Sequence, residues 1–173
     1  NNSSWGESQI IQGGLPAGEN YSIRDIEIYT DQVTGIERIY ASVGTKGLFA
    51  GKYNASAPGK INWISTPEVG PLSIRPLGIT TANSTLYFSS GNKLYKRNDG
   101  LSPTYTEAHD FSDLSTNINS AVGGIRGLTT IANPNSNNEA LLLMWCPNGQ
   151  SQGVIYRLEP DGAGGFDRFY ETK

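Results

Sequence analysis

The 173-residue sequence is poor in the residues that carry redox and metal chemistry, with one cysteine, one histidine and one methionine. A single cysteine permits no internal disulfide, and no metal-binding, phosphate-binding or nucleophile motif is present. We therefore predict no cofactor, no metal site and no catalytic residue. His109 is expected to be exposed, and Cys146 to be an inert buried thiol.

Charged residues are also few, at 17% of the chain, and the net charge is -3. This composition supplies no basic field for a phosphate backbone, so nucleic acid is not expected as a partner. The longest uncharged apolar run, Ala140 to Cys146, is far shorter than the roughly 20 residues that cross a membrane. No membrane span is predicted.

Glycine, proline and tyrosine are abundant instead, with 21, 9 and 9 residues, which is unlike a helical bundle. The chain also contains a repeat. Ser22-Ile23-Arg24 recurs as Ser73-Ile74-Arg75 and as Gly124-Ile125-Arg126, so the arginines are 51 residues apart. Equal spacing of this length indicates a duplicated supersecondary unit.

Each repeat contains four short apolar segments separated by turn residues. The predicted strands are 26–29, 38–42, 47–49 and 61–65, then 77–80, 85–89, 93–95 and 104–108, then 128–131, 140–145, 154–156 and 166–170. Four antiparallel strands per tandem repeat are typical of a β-propeller blade. An up-and-down barrel or a β-sandwich is the alternative, but neither requires an Ile-Arg step every 51 residues.

The sequence therefore predicts an all-β fold in one propeller-type domain, residues 1–173, with blades at 22–66, 73–110 and 124–172. One additional outer strand is predicted at 4–10. Three blades do not close a ring, because closed propellers use about 4 to 8. We therefore expect further blades, either from the same protein or from another copy.

The Ile-Arg repeats and their strands resemble a secreted β-propeller over essentially the whole chain. The Asp-box of sialidases and the Trp-Asp dipeptide of WD40 blades are absent. The series Arg38-Ile39-Tyr40, Gly47-Leu48-Phe49 and Trp63 is loosely similar to blades of fungal fucose-binding lectins. The resemblance implies a carbohydrate as the class of ligand.

Five residues form the predicted ligand-binding set. Arg24, Arg75 and Arg126 are the charged set that the repeat preserves, and forked guanidiniums at a channel mouth would bind carboxylate, sulfate or sugar hydroxyls. The alternative is that they satisfy backbone carbonyls between blades. Trp63 and Tyr105 offer ring faces for sugars, or else pack against the next blade.

Asn1, Asn2, Asn20, Asn54 and Asn83 each begin an Asn-x-Ser/Thr glycosylation motif. In a chain rich in Asn and Ser, some such motifs arise by chance. We predict glycosylation at the last four and, with it, a secreted or cell-surface protein.

Three functions fit these features. The first is a non-enzymatic extracellular recognition or adhesion module for a glycan or a small anionic ligand, because repeats deliver equivalent sites and no catalytic set is visible. The second is a structural glycoprotein subunit of an extracellular assembly or filament, suggested by the unclosed blades. The third is a segment of a secreted propeller enzyme, such as a lyase, lactonase or glycosidase, with its active residues in other blades.

Overall fold

A computed structural model describes residue 15 and residues 22–56, 60–72, 76–114, 124–133, 136–146 and 153–171. Within these residues the chain is all-β, and twelve strands form three four-stranded antiparallel sheets. Each 51-residue repeat supplies one sheet. The predicted outer strand at 4–10 lies outside the described residues.

The strands of each sheet pair in chain order. Sheet 1 consists of β1 (Ile23–Thr30), β2 (Glu37–Val43), β3 (Gly47–Tyr53) and β4 (Ile61–Trp63). Sheet 2 consists of β5 (Pro76–Ala82), β6 (Thr85–Ser90), β7 (Lys93–Asn98) and β8 (Thr104–Asp110). Sheet 3 consists of β9 (Gly124–Ala132), β10 (Glu139–Cys146), β11 (Val154–Pro160) and β12 (Phe166–Tyr170). All twelve predicted strands are confirmed, although β4 ends two residues earlier than predicted.

The side chains alternate between the two faces of each strand, as the pleat requires. In β10, Leu141, Leu143 and Trp145 are buried, whereas Met144 between them is exposed. The buried three belong to a core that sheet 3 shares with sheet 2. One face of this strand is therefore inside the molecule, and the other is at its surface.

Sheet 2 is covered on both faces. On one side Ile79 and Phe88 pack with Tyr29 and Tyr40 of sheet 1. On its other side Leu94 belongs to the core shared with sheet 3. The first strands of the sheets, β1, β5 and β9, contact one another in that order, so the sheets are stacked face to face.

The Ile-Arg steps coincide with β-bulges in the two repeats where they are described. Ile23 pairs with Val43 and the next paired residue is Asp25, so Arg24 is the extra residue of β1. Likewise Arg126 is passed over in β9. A bulge bends the strand and re-aims the extra side chain.

Candidate functional site

Arg97 on β7 is the centre of a polar cluster between sheets 1 and 2, and its side chain is 2% exposed. Its Nη1 donates to Oδ2 of Asp31 at 2.6 Å and also to Asp99, and its Nε donates to Oε1 of Glu68 at 2.8 Å. Strand alternation places Arg97 on the same face as Tyr95, which packs toward sheet 1. The buried guanidinium is tolerated because three carboxylates pair with it.

Three tyrosine hydroxyls bond to the same carboxylates. Tyr105 donates to Oε1 of Glu68 at 2.6 Å, and Tyr40 donates to that oxygen at 3.4 Å. Tyr29 donates to Asp99. The guanidinium also lies 5.7 and 5.8 Å from the ring centres of Tyr29 and Tyr40, within cation–π distance. The cluster is therefore held from several sides.

The ionisation states in the cluster follow from burial and these bonds. Burial acts to raise the pKa of Asp31, but the hydrogen bonds from Arg97 and from three backbone amides outweigh it and hold that pKa well below its usual range. Burial and then the carboxylate of Asp99 raise the pKa of Tyr29 above its usual value. Burial and then the carboxylate of Glu68 do the same for the pKa of Tyr105. At neutral pH Asp31 is an anion, and both tyrosines are neutral donors.

This ion pair makes a pH-dependent contribution to stability. We expect Asp31→Asn to lower the free energy of unfolding by about 1.5–3 kcal/mol at neutral pH, because it removes one of the charged hydrogen-bond acceptors of the buried Arg97 guanidinium. Since the folded pKa is depressed, the contribution of Asp31 is fully present above the unfolded pKa of about 3.9 and is lost as pH falls toward the folded pKa.

In urea unfolding, the difference between wild type and Asp31→Asn should therefore shrink below about pH 4. Asp167→Asn, at an exposed position of β12, is the matched control and should leave stability nearly unchanged. A difference for Asp31→Asn that stays constant into strong acid would contradict the ionised pair.

Asp31 is positioned by the turn between β1 and β2. Its Oδ1 accepts the N–H of Val33 at 3.0 Å and of Thr34 at 2.8 Å, and its carbonyl accepts the N–H of Gly35 at 2.8 Å. Aspartate favours such turns because its side chain bonds to the backbone two residues on. Oδ2 of the same carboxylate is left to accept from Arg97.

Glu68 is carried by the segment between β4 and β5. Leu48 N–H donates to the carbonyl of Val69 at 2.8 Å, and Glu68 N–H donates to the carbonyl of Leu48 at 2.8 Å. Gly47 has φ +112°, and a Cβ there would lie 1.8 Å from the Val69 oxygen. This approach therefore requires glycine. The close approach of Gly47 and Val69 holds the segment against β3, and this places Glu68 beside the guanidinium of Arg97.

An open cleft of about 310 Å³ lies over this cluster, between sheets 1 and 2. Its lining includes the cluster members Asp31, Glu68 and Arg97, together with Thr34, Ile36, Arg38, Ile64, Thr66 and Leu101. Among the described residues, the side chains of Arg38 and Thr66 have no hydrogen-bonding or ion-pair partner. Their donors are therefore available to a ligand.

A second cleft, of about 280 Å³, lies between sheets 2 and 3. The first cleft is bounded by the β1–β2 turn of sheet 1 and the β7–β8 turn of sheet 2. The second is bounded in the same way, by the β5–β6 turn of sheet 2 and the β11–β12 turn of sheet 3. Its lining includes Asn83, Tyr87, Lys96 and Phe166. The side chain of Asn83 fixes this edge by donating to the carbonyl of Glu139 at 2.8 Å. The repeat therefore generates clefts at equivalent places, with different residues in each.

The predicted ligand-binding residues are dispersed over the molecule. Arg24 is exposed on β1, and Arg126 is half-buried on β9, where it interacts with other groups. Trp63 is half-buried on the outer face of sheet 1, whereas Tyr105 lies between sheets 1 and 2. Arg75 lies outside the described residues. Of the four that are described, only Tyr105 bonds to the cluster beneath the first cleft.

Sequence reasoning missed the residues that line this cleft with charge, which are Asp31, Arg38, Glu68 and Arg97. One signal was available, since Arg97 follows Tyr95 at a spacing of two, just beyond the predicted strand 93–95. A charged residue on the face that carries core aromatics requires buried partners. The sequence did not indicate which carboxylates those partners were.

Two of the glycosylation motifs fall within the described residues. Asn83 is exposed in the turn between β5 and β6. Asn54 is half-buried just after β3, where its Oδ1 accepts the N–H of Ser56 at 3.0 Å. Both lie where the chain leaves a sheet. Asn1, Asn2 and Asn20 lie outside the described residues.

His109 on β8 is half-buried rather than exposed, beside Arg168 and Asp113. Burial and then the charge of Arg168 lower the pKa of His109, so its ring is neutral at pH 7. Asp113 is held by Arg168 through two bonds of 3.0 and 2.5 Å. Cys146 is half-buried, not fully buried as expected. In the described parts of the chain, no three His, Cys, Asp or Glu residues are grouped to hold a metal ion.

No family model matches this chain, and neither curated proteins nor solved structures gave a match. Across the described ranges, no helix is long and apolar enough to cross a membrane.

Proposed function

We propose that this chain is a non-enzymatic extracellular recognition module, built of propeller blades, that binds a carbohydrate in the cleft between sheets 1 and 2. One observation carries the proposal. The unengaged donors of Arg38 and Thr66 face the same open cleft as the fixed Arg97–Glu68 pair. A concave site with a few convergent polar groups on an apolar wall is the usual form of a small-molecule site.

The chemistry of the lining matches a sugar. Neighbouring hydroxyls on a pyranose ring both donate and accept, so they can bond to a forked guanidinium such as Arg38 and to a carboxylate such as Glu68. The C–H face of the ring would pack on Ile36, Ile64 and Leu101. Because Glu68 is already held by hydrogen bonds, little ordering of that side chain opposes binding.

The balance of charge in the cleft supports the choice of a sugar over a small anion, the two ligand classes that the sequence left open. The cluster and cleft contain three carboxylates, of Asp31, Glu68 and Asp99, against two guanidiniums, of Arg38 and Arg97. This excess of negative charge disfavours a small anion. It is compatible with a neutral polyhydroxylated ligand, so a sugar is favoured over sulfate or a carboxylate.

The proposal is tested with a glycan array, followed by calorimetric titration of the glycans that bind. We expect Arg38→Gln to weaken binding by at least about tenfold, because it removes a charged donor from the cleft. Its fold should persist, because Arg38 has no bonding partner in the described residues.

Arg24→Gln is the matched variant, since Arg24 is an exposed arginine on β1 outside the cleft lining. Its binding should equal that of the wild type. Loss of binding in Arg24→Gln but not in Arg38→Gln would assign the ligand to the Ile-Arg repeat and overturn the cleft. An array with no bound glycan would overturn carbohydrate recognition.

We also propose that the protein is secreted and carries a glycan at Asn83. The exposure of this residue supports the proposal, because a bulky glycan there would be solvated. The glycan replaces one of the two Nδ2 hydrogens, so the other can still donate to the carbonyl of Glu139. Protein from its native source should lose mass on treatment with an Asn-glycan-removing enzyme. No mass change at the peptide that contains Asn83 would refute its glycosylation.

A further inference from the structure

The outer face of sheet 3 is apolar along β10 and the start of β11 and is open to solvent. Arg157, which is ion-paired with Glu159 and Glu171, lies between this apolar part and Phe169. Met144, Ile155 and Phe169 are 43%, 38% and 41% exposed, and half-buried Leu142 lies beside them. A groove of about 340 Å³ runs over this face. Contiguous apolar patches on soluble proteins generally mark interaction sites. We name the face defined by these four side chains the trailing face.

The outer face of sheet 1 is bare along its first strand. Ile26 and Ile28 on β1 are 56% and 59% exposed. Farther across the sheet, Phe49 is buried and packs with Leu15 and Trp63. The open part is therefore the β1 part, which we name the leading face. The equivalent strands β5 and β9 contact the preceding sheet inside the molecule, through β1 and β5 respectively.

The 51-residue repeat shows what normally covers the leading face. Ile28 is equivalent to Ile79 and to Thr130. In sheet 2, Ile79 packs with Tyr29 of the preceding sheet. In sheet 3, the Thr130 hydroxyl lies 3.1 Å from that of Thr80, again in the preceding sheet. At both internal positions this face is covered by the sheet that comes before it.

The repeat shows equally what covers the trailing face. Tyr29 and its equivalent Thr80 both point to the sheet that follows, and the third equivalent is Ile131. Ile131 lies on the same strand face as Thr129, whose cross-strand partner is Leu142. The trailing face is therefore the side of the repeat that packs on a following sheet. The stack of three described sheets thus leaves two faces of complementary kind open, one on sheet 1 and one on sheet 3.

We propose that the trailing face of one copy packs on the leading face of a second copy, repeating the arrangement that stacks sheet 2 on sheet 1 and sheet 3 on sheet 2. The second copy is the partner that carries the matching face. Such a contact joins two different surfaces, so it closes a ring or extends as a filament according to the rotation between copies. The inference does not depend on the carbohydrate cleft.

Sedimentation velocity at increasing concentration tests this contact. At about 200 μM the wild type should be mostly associated if Kd is about 20 μM or tighter. Ile28→Lys and Met144→Lys should each weaken association at least about tenfold, because each buries an ammonium against an apolar sheet. Val33→Lys is the matched control, since Val33 is 71% exposed in the β1–β2 turn and outside both faces.

An equimolar mixture of Ile28→Lys and Met144→Lys distinguishes this contact from a symmetric one. Each variant retains the face that the other has lost, so the mixture should form dimers and stop there. A monomeric wild type, association that survives both substitutions, or a mixture that remains monomeric would each overturn the proposal. Circular dichroism checks the fold of each variant, and Ile26→Lys replaces Ile28→Lys if the latter unfolds.

Discussion

Replacing Arg97 with methionine is expected to lower the free energy of unfolding by about 3–5 kcal/mol. Methionine fills similar space but leaves the carboxylates of Asp31, Asp99 and Glu68 without their cation. Removing one partner of a buried ionic cluster costs more than the cluster itself contributes, because the remaining charges stay out of water. Urea unfolding at neutral pH measures the loss.

Two further variants define the origin of this effect. Arg24→Met removes an exposed arginine and should change stability by no more than about 0.5 kcal/mol. Arg97→Lys should recover part of the loss, because lysine restores the charge but cannot donate in a fork to Asp31 and Glu68. If Arg97→Met were as stable as the wild type, the cluster would not hold sheets 1 and 2 together.

The second large effect is expected at Gly47. Gly47→Ala should destabilise the fold by roughly 3 kcal/mol, because its φ of +112° is strained for alanine and the new Cβ would lie 1.8 Å from the Val69 oxygen. To relieve the clash, Val69 must move away from β3. Glu68 moves with it, so ligand binding should weaken together with stability.

Gly35→Ala separates backbone strain from the close approach. Gly35 has φ +67°, but a Cβ there would meet no atom within 4 Å. Its expected cost is therefore about 1 kcal/mol, with no effect on binding, since the strain is present without the clash. Equal losses in thermal or urea unfolding for the two variants would show that the contact with Val69 does not matter.

The strands could be predicted from the sequence because their determinants are local. Short apolar segments such as Leu141 to Trp145, and the turn residues between segments, are recognised from neighbours a few positions away. The repeat then supported each prediction, because the weak signals at the equivalent segments 26–29, 77–80 and 128–131 agree with one another. The three four-stranded sheets follow from these local signals.

The candidate site could not be predicted in the same way. Arg97 meets Asp31 across 66 residues and Glu68 across 29, and no local pattern joins them. The arginines that do follow the repeat were a less informative signal. Arg24 and Arg126 are the extra residues of bulges, so their directions do not follow the alternation of the residues beside them.

Carbohydrate binding in the cleft between sheets 1 and 2 is tested most directly by NMR, with the ¹⁵N-labelled chain titrated against fucose, galactose, mannose and N-acetylglucosamine. At up to about 50 mM sugar, enough to detect Kd values of order 10 mM, one of these should shift the amides of Thr66, Gly100 and Leu101 and the side-chain Nε–H of Arg38. No shift with any sugar, or shifts confined to the surroundings of Arg24 and Trp63, would contradict the account.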